Sequence, residues 1–295
     1  IAVPIDEAGA AVSASVGNVQ AVVNGAGAFG PGARYGFLSI LSCLAWGLGY
    51  FGMPQVLLRF MAIVKTSKIP LARNVAVIWC FISLFAAVVI GMLGRALMPG
   101  LLVTASASET IFIHLAVDFF PPLLAGFVLS GILAASISSS DSYMLIASSS
   151  LANDLVQNMS KKDLNDRLVM WLARLTQIVV TSFGVWVALS GNTSIFRVVS
   201  YAWAGLGACF GPLILFSLFW KRTTFQGAVA GLLTGGITVF VWKNLIARLG
   251  GAFAVYELLP AFILSGLAIF AVSLLTPKPS DAIIKEFETA EKANF

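Results

Sequence analysis

Five residues between 135 and 142 carry the polar chemistry of an otherwise apolar stretch: Ala135, Ser138, Ser139, Asp141 and Ser142. Positions 135, 138 and 139 are spaced i, i+3 and i+4, so on a helix one carbonyl and two hydroxyls share a face. Hard oxygen donors of this kind suit an alkali or alkaline-earth cation rather than a soft metal, and three neutral ligands favour a monovalent ion. Ser138, Asp141 and Ser142 repeat the spacing one turn on, where the carboxylate would serve a second cation or a proton. Two rival readings stand beside this one. Small residues in a lipid-embedded helix also permit close helix packing, although that leaves Asp141 unexplained. A serine nucleophile would need a His or Lys base, and the segment has none.

A second group lies between Trp46 and Pro54, where Gly47, Gly49 and Gly52 fall within one short run. In a helix interior Gly costs about 1 kcal/mol and Pro about 3 kcal/mol against Ala, so an unbroken helix here is expensive and the run predicts an unwound break. Pro54 suits the first turn of a new half-helix, whose positive dipole end would face the break and favour a carboxylate. Trp46 and Tyr50 stand one helical turn apart and would share a cavity wall. The alternative is a proline kink with its aromatics packed as core. Further on, Tyr201 and Trp203 precede small residues at Ala204, Gly207, Ala208 and Gly211; the two aromatics read as interface anchors or as cavity walls, and spacing does not choose.

The elements that must position these groups are membrane helices. Hydrophobic residues make up 59% of the 295 and charged ones 11%, against about 25% charged in soluble chains, so the solvent of this surface is lipid. A bilayer core about 30 Å thick needs roughly 20 apolar helical residues. Seven stretches qualify, at about 36–64, 74–98, 121–150, 168–190, 196–220, 226–248 and 257–276. The reading is an all-α integral membrane protein with a transmembrane domain over 36–276. Residues 1–35, rich in Gly, Ala and Val, read as an extracytoplasmic loop or re-entrant segment; 99–120 as a polar connection with a short helix; 277–295 as a cytoplasmic tail. Cys43, Cys80 and Cys209 lie in apolar stretches and read as small hydrophobes.

Seven spans alternate sides, and the loops sort the 18 Lys and Arg residues unequally. Arg34, Arg95, Arg197, Lys243 and Arg248 fall on one side and all the others on the opposite side. The basic-rich side is cytoplasmic by the positive-inside rule, which puts the amino end outside and the tail inside, as in a multi-pass protein of the plasma (inner) membrane. The net charge of +5 is spread over these loops and forms no basic aromatic groove for nucleic acid. With no His or Lys base beside the serines of 136–142, the chain is read as no enzyme. Ile1 is not an initiator methionine, and the sequence is read as the later part of a longer chain.

At these residues the chain resembles the sodium:solute symporter family, and within it the proline-carrying members. The likeness runs through Ala45–Gly52 with Pro54, Arg59–Ala62, Ile132–Ala135, Ser200–Gly205 with Phe210–Pro212, Gly227–Gly231 and Val241–Lys243. It departs at Met53 and Gln55, which flank the proline where proline carriers often show Gln and His. The resemblance implies a leucine-transporter-type inverted-repeat fold, of which this chain would hold the second five-helix repeat and two further helices, with the first repeat absent. It implies Na⁺ at Ala135, Ser138 and Ser139, partnered by carbonyls of that first repeat, and Asp141 resembles the carboxylate of members some of which have a second sodium site close by. It further implies L-proline or a similar small solute at Trp46, Tyr50 and Pro54, with Tyr201 and Trp203. Sodium-coupled symport of that solute by alternating access is the activity implied; a symporter for another amino acid, a carboxylate or a sugar is the near alternative, and a transporter-like sensory input domain the distant one.

Overall fold

The computed structural model describes residues 2–4, 21–23, 26–32, 36–98, 108–151, 165–189 and 195–293. Six helices in it are long and apolar enough to cross a membrane, seven if the bent pair Phe37–Gly52 and Pro54–Met61 is taken as one span. The protein is thus an all-α multi-pass membrane protein, and the described parts of the stretches read as spans are helical, the first with a break. The amino-terminal stretch adds three short strands, β1 (Ala2–Pro4), β2 (Ala21–Val23) and β3 (Ala26–Gly32), in the order β1-β3-β2. Strands β2 and β3 pair antiparallel with Val22 opposite Gly27. Composition alone announced no sheet there.

The helices are α1 (Phe37–Gly49), α2 (Pro54–Met61), α3 (Ile69–Leu97), α4 (Ile111–Phe119), α5 (Pro122–Ser149), α6 (Asp166–Leu189), α7 (Ile195–Phe219), α8 (Phe225–Val241), α9 (Leu258–Leu275) and α10 (Asp281–Ala293). Helix α3 starts five residues before the stretch expected at 74, because Arg73 and its polar neighbour Asn74 lie within its opening turns and lower the local hydropathy. The chain forms two compact units, one of Ile1–Val3, Gly30–Ala86 and Ile195–Phe295, the other of Pro4–Phe29 and Ala87–Ser194.

In the first unit α7, α8 and α9 form the core around Ala204, Ala208, Val239, Leu258 and Ala261, with Leu48, Trp203, Tyr256 and Phe262 packed on it. Lipid gives helices no hydrophobic drive to associate, so small residues that let backbones approach do the work. Gly235 meets the Ala208 carbonyl and Gly231 meets Ile269, and a side chain at either position would collide. Hydroxyls add interhelical bonds: Ser265 Oγ donates to the Gly231 carbonyl at 2.9 Å, and Thr224, the N-cap of α8, accepts from the Gly227 amide and lies 2.9 Å from Thr276 Oγ1. The tail helix α10 is tied back by Lys221 to Glu288 at 3.5 Å.

In the second unit α5 packs on α6 and on the short α4. The membrane window of α5 is only 6% buried and that of α6 is 0% buried. Apolar surface of this extent must be covered by lipid or by further protein.

Candidate functional site

The first candidate site is the break in the first span. Helix α1 runs through Gly47 and Gly49, tightens into a single turn at Tyr50–Gly52, and passes an extended Met53 at φ −83°, ψ 117° before α2 starts with Pro54 in its first turn. The two halves are bent by 50°. Proline explains the restart, since its missing amide is harmless at a helix's first position. The glycines have another use than the sequence suggested. Gly47 has open space around its missing side chain, whereas Gly49 abuts the Trp203 indole, and a Cβ on Gly52 would lie 2.6 Å from the Leu206 carbonyl oxygen and 2.8 Å from the Gly211 amide. Gly49 and Gly52 therefore let α1 touch α7 backbone to backbone.

Tightening of that turn frees a carbonyl. The Tyr50 amide bonds to the Gly47 carbonyl, one residue short of the α-helical partner Trp46, and the Trp203 indole NH supplies the missing donor to Trp46 at 3.1 Å. Trp46 also stacks on Trp203 with centroids 5.1 Å apart and on Phe196 at 5.7 Å. Tyr50 meets Trp203 edge-on at 4.8 Å and remains 52% exposed. Such aromatic pairs contribute about 0.5–1.5 kcal/mol each beyond burial. The structure thus brings Trp46, Tyr50 and Trp203 together beside the break and sets Pro54 at the start of α2. Tyr201 lies on α7 outside this stack, 37% exposed.

Sequence reasoning missed Phe196, Tyr256 and Glu257. Tyr256 stacks on Trp46 at 6.4 Å and donates its hydroxyl to the Ser200 carbonyl at 2.6 Å. Burial, and then the neighbouring Glu257 carboxylate, push this phenol above its ordinary pKa, which keeps it a donor. Glu257 is 3% exposed. Lys243 Nζ sits 3.1 Å from its Oε1 and 3.4 Å from its Oε2, with hydrogen-bond geometry met only at the latter. An acid at the mouth of an apolar span, with a lysine just before the preceding turn, was the available signal.

The second candidate site lies on α5 in the other unit. Ala135, Ser138 and Ser139 follow one another on a face of this helix and are exposed within the described residues. Serines in a helix interior commonly turn back on the carbonyl four residues earlier. Ser130, Ser136 and Ser142 do so, onto Gly126, Ile132 and Ser138. Ser138 and Ser139 hydroxyls make no protein hydrogen bond among the described residues, and these are the two oxygens of the i+3, i+4 set. Asp141 lines a cavity of about 720 Å³ between α5 and α6 with Arg174, Gln177 and Thr181. Ser142 has spent its proton on the Ser138 carbonyl, leaving its lone pairs.

A family model of the sodium:solute symporter family matches residues 5–235. The chain belongs to the sodium:solute symporter family. Members with similar sequence include the sodium/proline symporter of Haemophilus influenzae, 40% identical over 87% of this chain and 52% of the relative. The high-affinity proline transporter PutP of Bacillus subtilis is 42% identical over 85% of this chain and 52% of its own length. The osmoregulated proline transporter OpuE of the same organism is 38% identical over 86% and 51%. The chain spans about half the length of these curated relatives. The family is named for sodium and for symport of a solute.

Proposed function

We propose that this chain is the part of a sodium-coupled symporter that holds one wall of the solute site and one side of the sodium site, and that the solute is L-proline. The observation that carries the reading is the interrupted first span. A break at membrane depth survives only where protein or a water-filled cavity satisfies its backbone, and here Trp203 satisfies the Trp46 carbonyl while the Tyr50 side chain stays half-exposed beside it. Trp46, Tyr50 and Trp203 offer flat apolar faces for a pyrrolidine ring. The α2 N-terminus after Met53 offers a positive dipole end to the carboxylate. The relatives are proline transporters by name, which supplies proline as the solute of those proteins.

Sodium is assigned to the Ala135 carbonyl and the Ser138 and Ser139 hydroxyls, an uncharged oxygen set that fits a hard monovalent ion. Asp141 and Ser142 are assigned to a second cation or a proton. The remaining ligands, and the cover for the exposed faces of α5 and α6, are proposed to come from the first inverted repeat, in the half of the relatives that this chain does not span. The fold of the whole is proposed to be of the leucine-transporter type, with residues 36–276 as its transmembrane part, the amino end outside and 277–295 cytoplasmic.

Coupling then is a linkage: bound sodium holds α5 in place and raises affinity for proline. One sodium moving across 100 mV supplies about 2.3 kcal/mol, which at about 1.4 kcal/mol per decade supports nearly a fiftyfold solute gradient. Labelled proline uptake by the intact protein in vesicles, with sodium replaced by choline under a proton gradient, is the test. Uptake that persists in choline would remove sodium coupling, and absence of uptake in sodium would remove proline.

A further inference from the structure

The turn between α8 and α9 reaches the aromatic stack, and one of its residues touches both helices that carry the stacked indoles. Tyr256 donates its amide to Ser42 Oγ on α1 at 3.0 Å and its hydroxyl to the Ser200 carbonyl on α7 at 2.6 Å. Its ring lies within 13° of parallel to the Trp46 indole. Ser42 precedes Trp46 by four residues and Ser200 precedes Trp203 by three, so the tyrosine grips each helix one turn before its indole. Gly250 at φ 71° and Gly251 at φ 58° reverse the chain after α8, in the left-handed region that favours glycine. Glu257, buried next to Tyr256, is held by Lys243 from the far side of the same turn.

Resting on the reading of this stack as the solute site, we infer that Tyr256 is a positioning residue for it: it fixes the Trp46 ring against Trp203, and the Lys243–Glu257 pair fixes the tyrosine. A tryptophan free to leave the stack must be ordered when the solute binds, and a ring held in advance spares that cost. Tyr256 itself acts through Trp46 and need not touch the solute.

The intact protein is tested with Tyr256→Phe, which keeps the ring and removes the hydroxyl, and with Ser42→Ala, which removes the acceptor of the Tyr256 amide. Each is expected to raise the proline concentration for half-maximal uptake about fivefold, the weight of one buried hydrogen bond. Maximal rate per inserted carrier should change by less than about twofold. In a Trp46→Ala background Tyr256→Phe should add nothing, because the tyrosine works through that ring. The second readout needs no solute: the far-ultraviolet exciton couplet of the Trp46–Trp203 pair should weaken in both variants and vanish in Trp46→Phe. Full additivity with Trp46→Ala, or an unchanged exciton signal, overturns the inference. Should the wild-type protein take up no proline, the solute-site reading fails, and the dichroism alone decides whether Tyr256 positions the indole. Where Tyr256→Phe does not insert, Ser42→Ala carries both readouts.

Discussion

The Trp203 indole NH donates to the main-chain carbonyl of Trp46 across 157 residues of sequence. That bond repairs the backbone where α1 tightens before its break, and it does so with a side chain that also stacks on Trp46. The same indole thus sustains the interruption and lines it. Trp203→Phe keeps a ring in the stack but removes the donor, leaving a part-buried carbonyl unpaired. The cost should be about 1–3 kcal/mol in unfolding of the intact protein, with proline half-saturation raised several-fold. Thermal denaturation in detergent together with an uptake titration checks both.

Two glycines of one motif should answer oppositely to alanine. At Gly52 a Cβ would meet backbone atoms of Leu206 and Gly211, which cannot swing aside, whereas Gly47 has nothing within 4 Å. Gly52→Ala should therefore lower the yield of folded protein and its melting temperature. Gly47→Ala should leave both unchanged or raise stability by up to about 1 kcal/mol. Size-exclusion yield and melting of the pair decide the point.

The contrast between Gly47 and Gly52 also marks how far the sequence could be read. Proline within a glycine-rich apolar run placed the break, because that composition is costly in any helix. It did not tell which glycine is there for backbone freedom and which for contact, since contact depends on α7, more than 150 residues away. Span positions were legible from hydropathy except where Arg73 and Asn74 masked the start of α3. The α5 oxygens were legible as a spacing, but not which hydroxyls the helix itself consumes. Tyr256 was invisible for the same reason as the role of Gly52: its partners Ser42 and Ser200 are distant in the chain.

Hydroxyl commitment separates the α5 serines. Ser139→Ala and Ser138→Ala remove oxygens that have no protein partner among the described residues, and each should raise the sodium concentration for half-maximal uptake by about tenfold or more, as expected for losing one ligand. Ser136→Ala removes a hydroxyl already bonded to the Ile132 carbonyl and should leave the sodium requirement alone. Sodium titrations of proline uptake, normalised to carrier in the membrane, compare the three.

Lys243 and Glu257 should behave as a pair. Removing the lysine alone leaves a carboxylate that is 3% exposed without its partner. Breaking a fully buried pair costs about 3–5 kcal/mol; because the lysine side chain is 49% exposed, Lys243→Met should cost less, about 1–3 kcal/mol. The double variant Lys243→Met with Glu257→Leu should regain most of it, since no charge is then stranded. Melting temperatures of the single and double variants measure the recovery.

Sodium on α5 and proline at the broken helix are proposed to be coupled through binding. Linkage requires the effect to be mutual. Equilibrium binding of labelled proline to the purified intact protein, titrated with sodium, and of sodium, titrated with proline, tests it most directly. Each ligand should tighten the other by the same factor, and Ser139→Ala should lower that factor. Proline affinity that is identical in sodium and in choline would contradict it.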